Sequence, residues 1–367
     1  MIYKVSVNLR RKSYDIHIYN KISKNLSLST IFLNNKNSVI ITNNTINKVI
    51  LTKKFFYIHD IIKNIPVFII KDGECHKNLR VVEKIIYFLL DKTYSRDVTL
   101  IALGGGVIGD ITGFVASIYQ RGVNFFQIPT TLLAQVDASI GGKTGVNHKL
   151  GKNMIGSFWQ PKGVFIDINF LLALPKVHII SGIAEIIKYA IIFDKKFFIW
   201  LEENLFKILN LQEKELLFCI NKCCKFKAYV IKHDEKENNI RVFLNLGHSF
   251  AHAIETYTGY GKWLHGYAVS VGIVMAAYLS VQLHLLDENI FFRIVKLLYN
   301  AGLPIKGPKN MLPDEYLVLM LRDKKVLNKM MRLVIPVSLG KVQLISSVSE
   351  SVLLDVIRKC QNKIYNF

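Results

Sequence analysis

The chain has 367 residues, of which 51% are hydrophobic, so it is long enough for two domains and too apolar for a disordered protein. Its 48 Lys and Arg residues outnumber its 27 Asp and Glu residues, and the formal net charge is +21. Such a charge suits binding to nucleic acid, to an acidic membrane or to anionic small molecules. The lysines are dispersed beside Asn and Ile and form no basic block, which argues against nucleic acid as the partner.

The first half of the chain alternates between strand-like and helix-like segments. The N-terminal "MIYKVSVNLRRKSYDIHIY" predicts strand–turn–strand, not a secretory signal peptide. Short apolar, β-branched or aromatic runs that end in turn residues predict strands at 37–44, 65–74, 97–106, 124–131 and 163–170. A helix is predicted over 77–91. This alternation indicates a parallel sheet with crossover helices.

The second half has helical periodicity. The change comes at about Leu174, so we expect the boundary between an α/β half and a mostly helical half near "ALPKV". The most apolar long run, residues 268–286, nearly reaches the length of a membrane span. Polar residues such as Ser270 and Gln282 interrupt it, so we predict a buried core helix and no membrane association.

The cysteines indicate a reducing compartment. There are 5 of them, an odd number, and no C-x-x-C pair occurs. Because no secretory segment is apparent, we expect free thiols and a cytoplasmic protein.

A glycine-rich turn follows one of the predicted strands. In "VTLIALGGGVIGDITGFVAS", Gly104, Gly106 and Gly109 have the G-x-G-x-x-G spacing that lets a backbone approach a pyrophosphate. The alternative is a strand-to-helix turn that binds nothing. The acid expected about 20 residues further on is not where a simple Rossmann unit has it. We therefore expect a variant of nucleotide binding in which Asn43, at the end of an earlier strand, reaches the adenosine ribose.

Two segments carry charges in unusual surroundings. Residues 135–158 combine small residues with Asp137 and several lysines, a composition that suggests backbone wrapped around an anion. In "GIAEIIKYA", Glu185 and Lys188 lie on one face of a helix that is apolar nearly all round. Such a pair is usually an ordinary surface ion pair, but on a buried helix it requires a reason such as a metal or a substrate.

Three histidines lie in "LGHSFAHAIETYTGYGKWLHG", beside Glu255. Spacing alone favours His248 and His252 as metal ligands, because residues i and i+4 share a helix face, with a carboxylate from elsewhere. The alternative is that they are helix-face or core residues and that His265 caps a loop.

The chain resembles the 3-dehydroquinate synthase family of the sugar-phosphate cyclases. The motifs that carry the resemblance run in order across most of the chain: "DGE" with Lys77, "GGGVIGD", "RGV", "IPTTLLAQVDASIGGKTGVNHKLGKN", "GIAEIIKYA", "RVFLNLGHSFAHAIE", "LHG" and "RDKKV". Together they are highly specific, whereas the glycine turn alone is not.

The resemblance implies an α/β, Rossmann-like domain that binds NAD at residues 1–173. A mainly α-helical metal-binding domain follows at 174–367. The resemblance also implies one divalent metal, zinc or cobalt, held by Glu185, His248 and His265, with His252 lining the site. The residues matched to the family's NAD site are Asn43, Asp72, Gly73, Glu74, Cys75, His76, Lys77, Gly105, Gly106, Val107, Ile108, Gly109, Asp110, Thr130, Thr131, Lys143, Lys152, Phe170, Leu171, Leu172 and Ala173.

The implied activity is a phosphate-eliminating carbon–oxygen lyase of the shikimate pathway. It acts on 3-deoxy-D-arabino-heptulosonate 7-phosphate by oxidation at C5, loss of phosphate, re-reduction, ring opening and aldol closure, with NAD regenerated in each cycle. The residues matched to the substrate site are Asp137, Lys143, Asn153, Lys188, Lys227, Arg241, Asn245, His252, and Lys324 or Lys325. A homodimer is implied, in which Arg121 reaches the partner's phosphate.

The sequence departs from the family pattern at three places. Val177 and His178 replace the common Arg-Glu, Ala173 replaces Thr, and Asn43 stands where some members have Asp. These changes bear on NAD affinity or the dimer and leave the matched metal and phosphate residues intact. The competing functions are another sugar-phosphate cyclase, a metal-dependent polyol dehydrogenase and a nucleic-acid-binding protein.

Overall fold

The computed structural model describes residues 3–22, 37–321, 326–327, 330–346 and 348–362. The chain divides into two compact units. The first comprises Met1–Pro175 and Leu216–Glu235, and the second comprises Lys176–Glu215 and Lys236–Phe367.

In chain order, the strands are β1 (Tyr3–Val7), β2 (Tyr14–Tyr19), β3 (Ser38–Asn43), β4 (Val67–Ile70), β5 (Thr99–Gly104), β6 (Asn124–Pro129), β7 (Lys143–His148), β8 (Gly151–Phe158), β9 (Gly163–Asp167), β10 (Val326–Leu327), β11 (Met330–Ser338) and β12 (Lys341–Ser346). The α-helices are α1 (Asn44–Ile50), α2 (Phe56–Ile62), α3 (Leu79–Asp91), α4 (Gly106–Ile118), α5 (Lys176–Phe193), α6 (Lys195–Leu209), α7 (Glu213–His233), α8 (His248–Thr258), α9 (His265–Gln282), α10 (Glu288–Asn300), α11 (Pro313–Leu321) and α12 (Glu350–Asn362).

The first unit is built on a seven-stranded sheet in the order β1-β2-β9-β6-β5-β3-β4. β1 is antiparallel to β2, and the other neighbouring pairs are parallel. One apolar cluster contains side chains of α3 and α4, and another contains side chains of α1 and α2, so the sheet core is covered by helices. After β3 the chain adds β4 on one side and then β5 on the other. Ligands of open α/β sheets bind at such a switch point, at the carboxyl ends of the strands.

The strands predicted for this unit are confirmed as β1–β6 and β9. The predicted helix is α3, and its sequence explains both its start and its buried face. Asn78 caps it by accepting a hydrogen bond from the Val81 amide at 3.2 Å. Val82, Ile85 and Leu89 then place apolar side chains on one face and are buried.

The domain prediction differs from the observed units at one helix. Residues 216–235, most of α7, belong to the first unit, whereas the sequence placed everything after 173 in the second domain. Within that unit Cys224 Sγ lies 3.5 Å from the Gln135 carbonyl oxygen, and Lys227 Nζ donates to the Asp137 carboxylate at 2.7 Å. Helical periodicity cannot reveal which unit a helix packs against.

The second unit is mainly helical. Its helix α9 packs against α5, α8, α10, α12 and β11. Buried residues occupy nearly every turn of α9, which confirms the predicted core helix. A three-stranded sheet, β10-β11-β12, was not predicted. Among the helices that the structure describes, none has the length and hydropathy needed to cross a membrane.

Candidate active site

Helix α5 buries an acidic side chain in the second unit. Glu185 has a relative accessibility of 0%, and its neighbours Ile183, Ala184, Ile186 and Ile187 are also buried. One carboxylate oxygen, Oε2, forms an ion pair with the ammonium of Lys188, itself only 1% exposed. The other oxygen, Oε1, accepts no hydrogen bond from any residue that the structure describes. A buried carboxylate oxygen in this state calls for a hydrogen-bond donor or a cation.

A first histidine reaches this carboxylate from the start of α8. His248 follows Gly247, whose φ of +77° is the left-handed conformation that favours glycine. A Cβ on Gly247 would also meet the Ile273 amide nitrogen at 2.7 Å, so a close approach to α9 fixes where α8 begins. The His248 Nε2 atom lies 3.9 Å from Glu185 Oε1.

A second histidine reaches the same oxygen from the start of α9. His265 is the first residue of that helix, and its Nε2 atom lies 3.7 Å from Glu185 Oε1. The next residue, Gly266, donates its amide hydrogen to Ser181 Oγ at 3.1 Å. A Cβ on Gly266 would lie 1.8 Å from the Ser181 carbonyl oxygen. Only glycine therefore lets α9 approach α5, one turn before Glu185, closely enough to bring His265 to the carboxylate.

Gly266→Ala is therefore expected to disrupt this arrangement. The added methyl group overlaps backbone that cannot rotate away, so we expect a loss of about 3 kcal/mol of stability and a weaker affinity for divalent metal. Thermal unfolding and metal titration measure the two effects. The matched control is Gly106→Ala, also at the start of a helix, where the new Cβ would meet only the Ala138 Cβ at 3.4 Å. Equal stability of the two variants would contradict the role given to Gly266.

The three side chains present acceptors to one point. His248 Nδ1 lies 3.1 Å from the Leu246 carbonyl oxygen, and His265 Nδ1 lies 3.2 Å from Glu255 Oε1. Both oxygens accept hydrogen bonds, which favours a proton on each Nδ1, and in that neutral tautomer each Nε2 can act as a ligand. Two neutral imidazole nitrogens and a carboxylate oxygen that converge in this way can all bind one cation.

The residues therefore fit a divalent metal ion. Glu185, His248 and His265 each offer one ligand atom, and these atoms all lie within 4.8 Å of one another. Two imidazoles and one carboxylate suit zinc, and three protein ligands leave a fourth position for substrate, as in catalytic sites. His252, on the same helix face as His248 with its ring 5.8 Å away, is outside this group. The pairing of His248 with His252, favoured by spacing alone, is not the arrangement that the fold produces.

The glycine turn lies in the first unit, where β5 leads into α4. A Cβ on Gly104 would lie 2.6 Å from the Ile108 side chain. A Cβ on Gly109 would lie at the same distance from Gln127 Oε1, so a larger residue fits poorly at either position. Gly105 precedes the first helical residue, and among the described residues no side chain caps this helix start. The first amides of α4 thus point to the carboxyl edge of the sheet, as pyrophosphate binding requires.

Other residues matched to NAD gather at the same edge. Asn43, at the end of β3, caps α1 by accepting from the Ile46 amide and donates to Asp72 Oδ1 at 2.6 Å. Thr130, which follows β6, is buried, and its Oγ1 has no hydrogen-bond partner among the described residues. Its neighbour Thr131 accepts a hydrogen bond from the Ala134 amide.

A buried lysine links this edge to the β7–β8 hairpin. Lys77 Nζ lies 2.5 Å from both Asp110 Oδ2 and Asn153 Oδ1. Asn147 connects the same hairpin to Glu74, with its Nδ2 donating at 2.8 Å. Burial raises the pKa of the Asp110 carboxyl, and the nearby Lys77 ammonium acts in the opposite direction. The "DGE" segment, the start of α4 and the hairpin thus form one polar network.

The remaining residues matched to NAD fall into two groups. Phe170 and Leu171 are core side chains, so only their backbone is available to a nucleotide. The others are at least partly accessible or are glycines: Gly73, Cys75, His76, Gly106, Val107, Lys143, Lys152, Leu172 and Ala173.

The residues matched to the substrate are distributed over both units. In the first, Lys227 donates to the Asp137 main-chain oxygen at 2.6 Å and to its carboxylate. Lys143 and Arg121 are exposed there. In the second, Arg241 is 2% exposed and Asn245 donates to Glu237 Oε1 at 2.6 Å. Lys324 and Lys325 lie outside the described residues.

Sequence reasoning gave no role to two groups that the structure brings to the metal site. Glu255 contacts His265, and Ser181 holds Gly266. Glu255 lies seven residues after His248, a spacing that places both on one helix face, and this was the available signal. Nothing in the sequence alone points to Ser181.

Two family models match the chain over adjoining segments. The model of the 3-dehydroquinate synthase N-terminal region matches residues 67–181, and that of its C-terminal region matches residues 182–326. The chain is 67% identical over 363 residues to a 3-dehydroquinate synthase of Buchnera aphidicola subsp. Cinara cedri (strain Cc), covering 99% of each chain. It is 47% identical to a 3-dehydroquinate synthase of Aliivibrio fischeri (strain MJ11), covering 97% of this chain and 99% of the relative.

Solved structures share the fold at lower identity. A 2-epi-5-epi-valiolone synthase from Streptomyces hygroscopicus subsp. jinggangensis 5008, with NAD+ and Zn2+ bound, is 24% identical with a TM-score of 0.87 and covers 96% of this chain and 98% of its own. A 2-deoxy-scyllo-inosose synthase complexed with carbaglucose-6-phosphate, NAD+ and Co2+ is 23% identical with a TM-score of 0.83. This match covers 97% of this chain and 99% of that one.

Proposed function

The chain belongs to the 3-dehydroquinate synthase family, and on this premise we propose how its residues carry out that activity. The protein converts 3-deoxy-D-arabino-heptulosonate 7-phosphate to 3-dehydroquinate and phosphate, a step in aromatic amino-acid biosynthesis. Its cofactors are NAD and one divalent metal, zinc or cobalt. The observation that carries this conclusion is the 67% identity to a 3-dehydroquinate synthase over 99% of both chains.

Each cofactor has a set of residues that suits it. When bound, NAD and the metal supply reversible hydride transfer and polarisation of the C5 oxygen. Glu185, His248 and His265 would hold the metal, because one ring nitrogen of each histidine and a carboxylate oxygen converge. The start of α4, with Gly105 and Asp110, would hold the NAD together with the edge residues described above.

The lysines and Arg241 have the chemistry to hold the anionic groups of the substrate. Lys188 keeps its ammonium beside Glu185, where it would fix a substrate oxygen close to the metal ligands. Arg241 is a buried cation, and a guanidinium matches the two oxygens of a carboxylate. A substrate carboxylate distinguishes the heptulosonate from sugar phosphates that lack one, and this supports the proposed substrate over those of other cyclases.

The class, assembly and location of the enzyme are proposed by analogy with the family. We propose a phosphate-eliminating carbon–oxygen lyase that acts in the cytoplasm as a homodimer. Arg121 is an exposed cation with a left-handed backbone conformation, φ of +63°, at the end of a short turn. In that position its side chain is accessible to a partner's phosphate.

The decisive assay is phosphate release from the heptulosonate phosphate with NAD well below the substrate concentration. We expect many phosphates released for each NAD and no accumulation of NADH, because each cycle oxidises and then reduces the substrate. A polyol dehydrogenase would instead accumulate one NADH for each alcohol oxidised. Absence of phosphate release with metal and NAD present would contradict the proposed function.

A further inference from the structure

Helix α8 carries a third polar side chain on the face that bears His248. Glu255 follows His252 by three residues and His248 by seven, so all three project towards the same side. Glu255 is 4% exposed, whereas the next two residues, Thr256 and Tyr257, are exposed. A carboxylate buried to this extent is costly unless it is paired, so its partner indicates what it does.

One partner of Glu255 is among the three residues assigned to the metal. Glu255 Oε1 lies 3.2 Å from His265 Nδ1, the ring nitrogen that faces away from Glu185. The corresponding nitrogen of His248 faces a neutral acceptor, the Leu246 carbonyl oxygen, at 3.1 Å. The two imidazoles therefore differ: one is oriented by a backbone dipole, and the other by a full negative charge.

We propose that Glu255 is a positioning residue that sets the affinity of the metal site through His265. Its carboxylate fixes the tautomer that leaves the His265 Nε2 lone pair towards Glu185, and its charge makes that nitrogen a stronger donor to a cation. The inference rests on the metal site of the proposed function.

The test compares metal affinities of the full-length protein. Glu255→Gln keeps the size of the side chain and an oxygen that can accept from Nδ1, but it removes the charge. We expect zinc and cobalt to bind about 10-fold to 100-fold more weakly, measured by competition with a chelator. NAD affinity is expected to be unchanged. The matched control is Glu203→Gln, on the exposed surface of α6, for which metal affinity is expected to equal that of the wild type.

A double-mutant cycle with His265→Ala tests whether Glu255 acts through that histidine. In the His265→Ala background, the weak cobalt affinity that remains is measured by direct titration at high metal concentration, and Glu255→Gln is expected to change it by less than about twofold, because the group that Glu255 orients is gone. The absorption spectrum of the cobalt-saturated protein is a second readout. We expect Glu255→Gln to shift its visible bands, since the His265 ligand is altered, whereas a merely structural role would leave them as in the wild type.

The outcomes separate this inference from the proposed function. If the wild type binds no divalent metal, or His265→Ala binds it as tightly, the metal site itself is wrong. If both behave as proposed but Glu255→Gln binds metal like the wild type, only the role of Glu255 is overturned. A full Glu255→Gln effect in the His265→Ala background overturns it as well. If Glu255→Gln fails to fold, Glu255→Asp is the alternative variant. It keeps the negative charge but moves it away from His265 Nδ1, so it is expected to weaken metal binding in the same way. Wild-type affinity of that variant would overturn the role.

Discussion

Glu185→Gln is expected to eliminate metal binding and to reduce turnover at least about 1,000-fold, which corresponds to the several kcal/mol that a catalytic metal contributes. The neutral amide keeps the shape of the side chain but offers the metal no negative charge. It also leaves the Lys188 ammonium without its carboxylate in a buried position, so some loss of stability is expected. Metal content of the purified variant, thermal unfolding and steady-state rates measure these effects.

The control for Glu185→Gln is His252→Ala. His252 lies beside His248 but outside the group of converging ligand atoms, so its removal is expected to leave the metal bound. NAD affinity is expected to be unchanged in both variants, which shows that the protein is folded. If His252→Ala loses the metal while His265→Ala keeps it, then the choice made from the i, i+4 spacing was right and the present assignment is wrong.

The metal site illustrates what local sequence patterns can and cannot predict. Helix periodicity relates residues on one helix, and so it paired His248 with His252. The ligand set proposed here depends instead on Gly247 and Gly266. Because these residues lack a Cβ, the start of α8 can approach the backbone of α9, and the start of α9 can approach the backbone of α5. Such contacts join segments distant in sequence, and no spacing rule contains them. The resemblance to a known family implied this ligand set, because the family's motifs correspond to positions in a folded structure.

The sheet was predictable where strands are buried on both faces. The segments of β3, β5 and β9 are continuous apolar runs bounded by turn residues, and burial on both faces requires that pattern. The β7–β8 hairpin lacks it. Its pairing depends on Gly145 and Gly156, where a Cβ would meet main-chain oxygens of the opposite strand at 2.5 Å and 2.2 Å. A stretch rich in small residues lacks the apolar run of a buried strand, so this hairpin was not predicted.

Lys188→Met is expected to change metal binding and catalysis in opposite directions. Lys188 is 1% exposed and forms an ion pair with Oε2 of Glu185, while Oε1 faces the two imidazoles. Its ammonium therefore repels a cation held on the other side of the same carboxylate. Two unit charges about 5 Å apart interact by about 3 kcal/mol at an effective dielectric constant of about 20. Removing this repulsion is expected to tighten metal binding about tenfold or more.

The same change is expected to lower turnover at least about 100-fold, because a cation proposed to fix the substrate oxygen is lost. The metal-free variant leaves the Glu185 carboxylate buried without its ion pair, which costs about 3–5 kcal/mol. Added metal supplies the missing positive charge, so metal should raise the unfolding temperature of Lys188→Met more than that of the wild type. Lys196→Met, on the exposed start of α6, is the control and is expected to match the wild type in all three measurements. Weaker metal binding by Lys188→Met would mean that the ammonium supports the ligand set, and the picture of one carboxylate shared between two cations would be wrong.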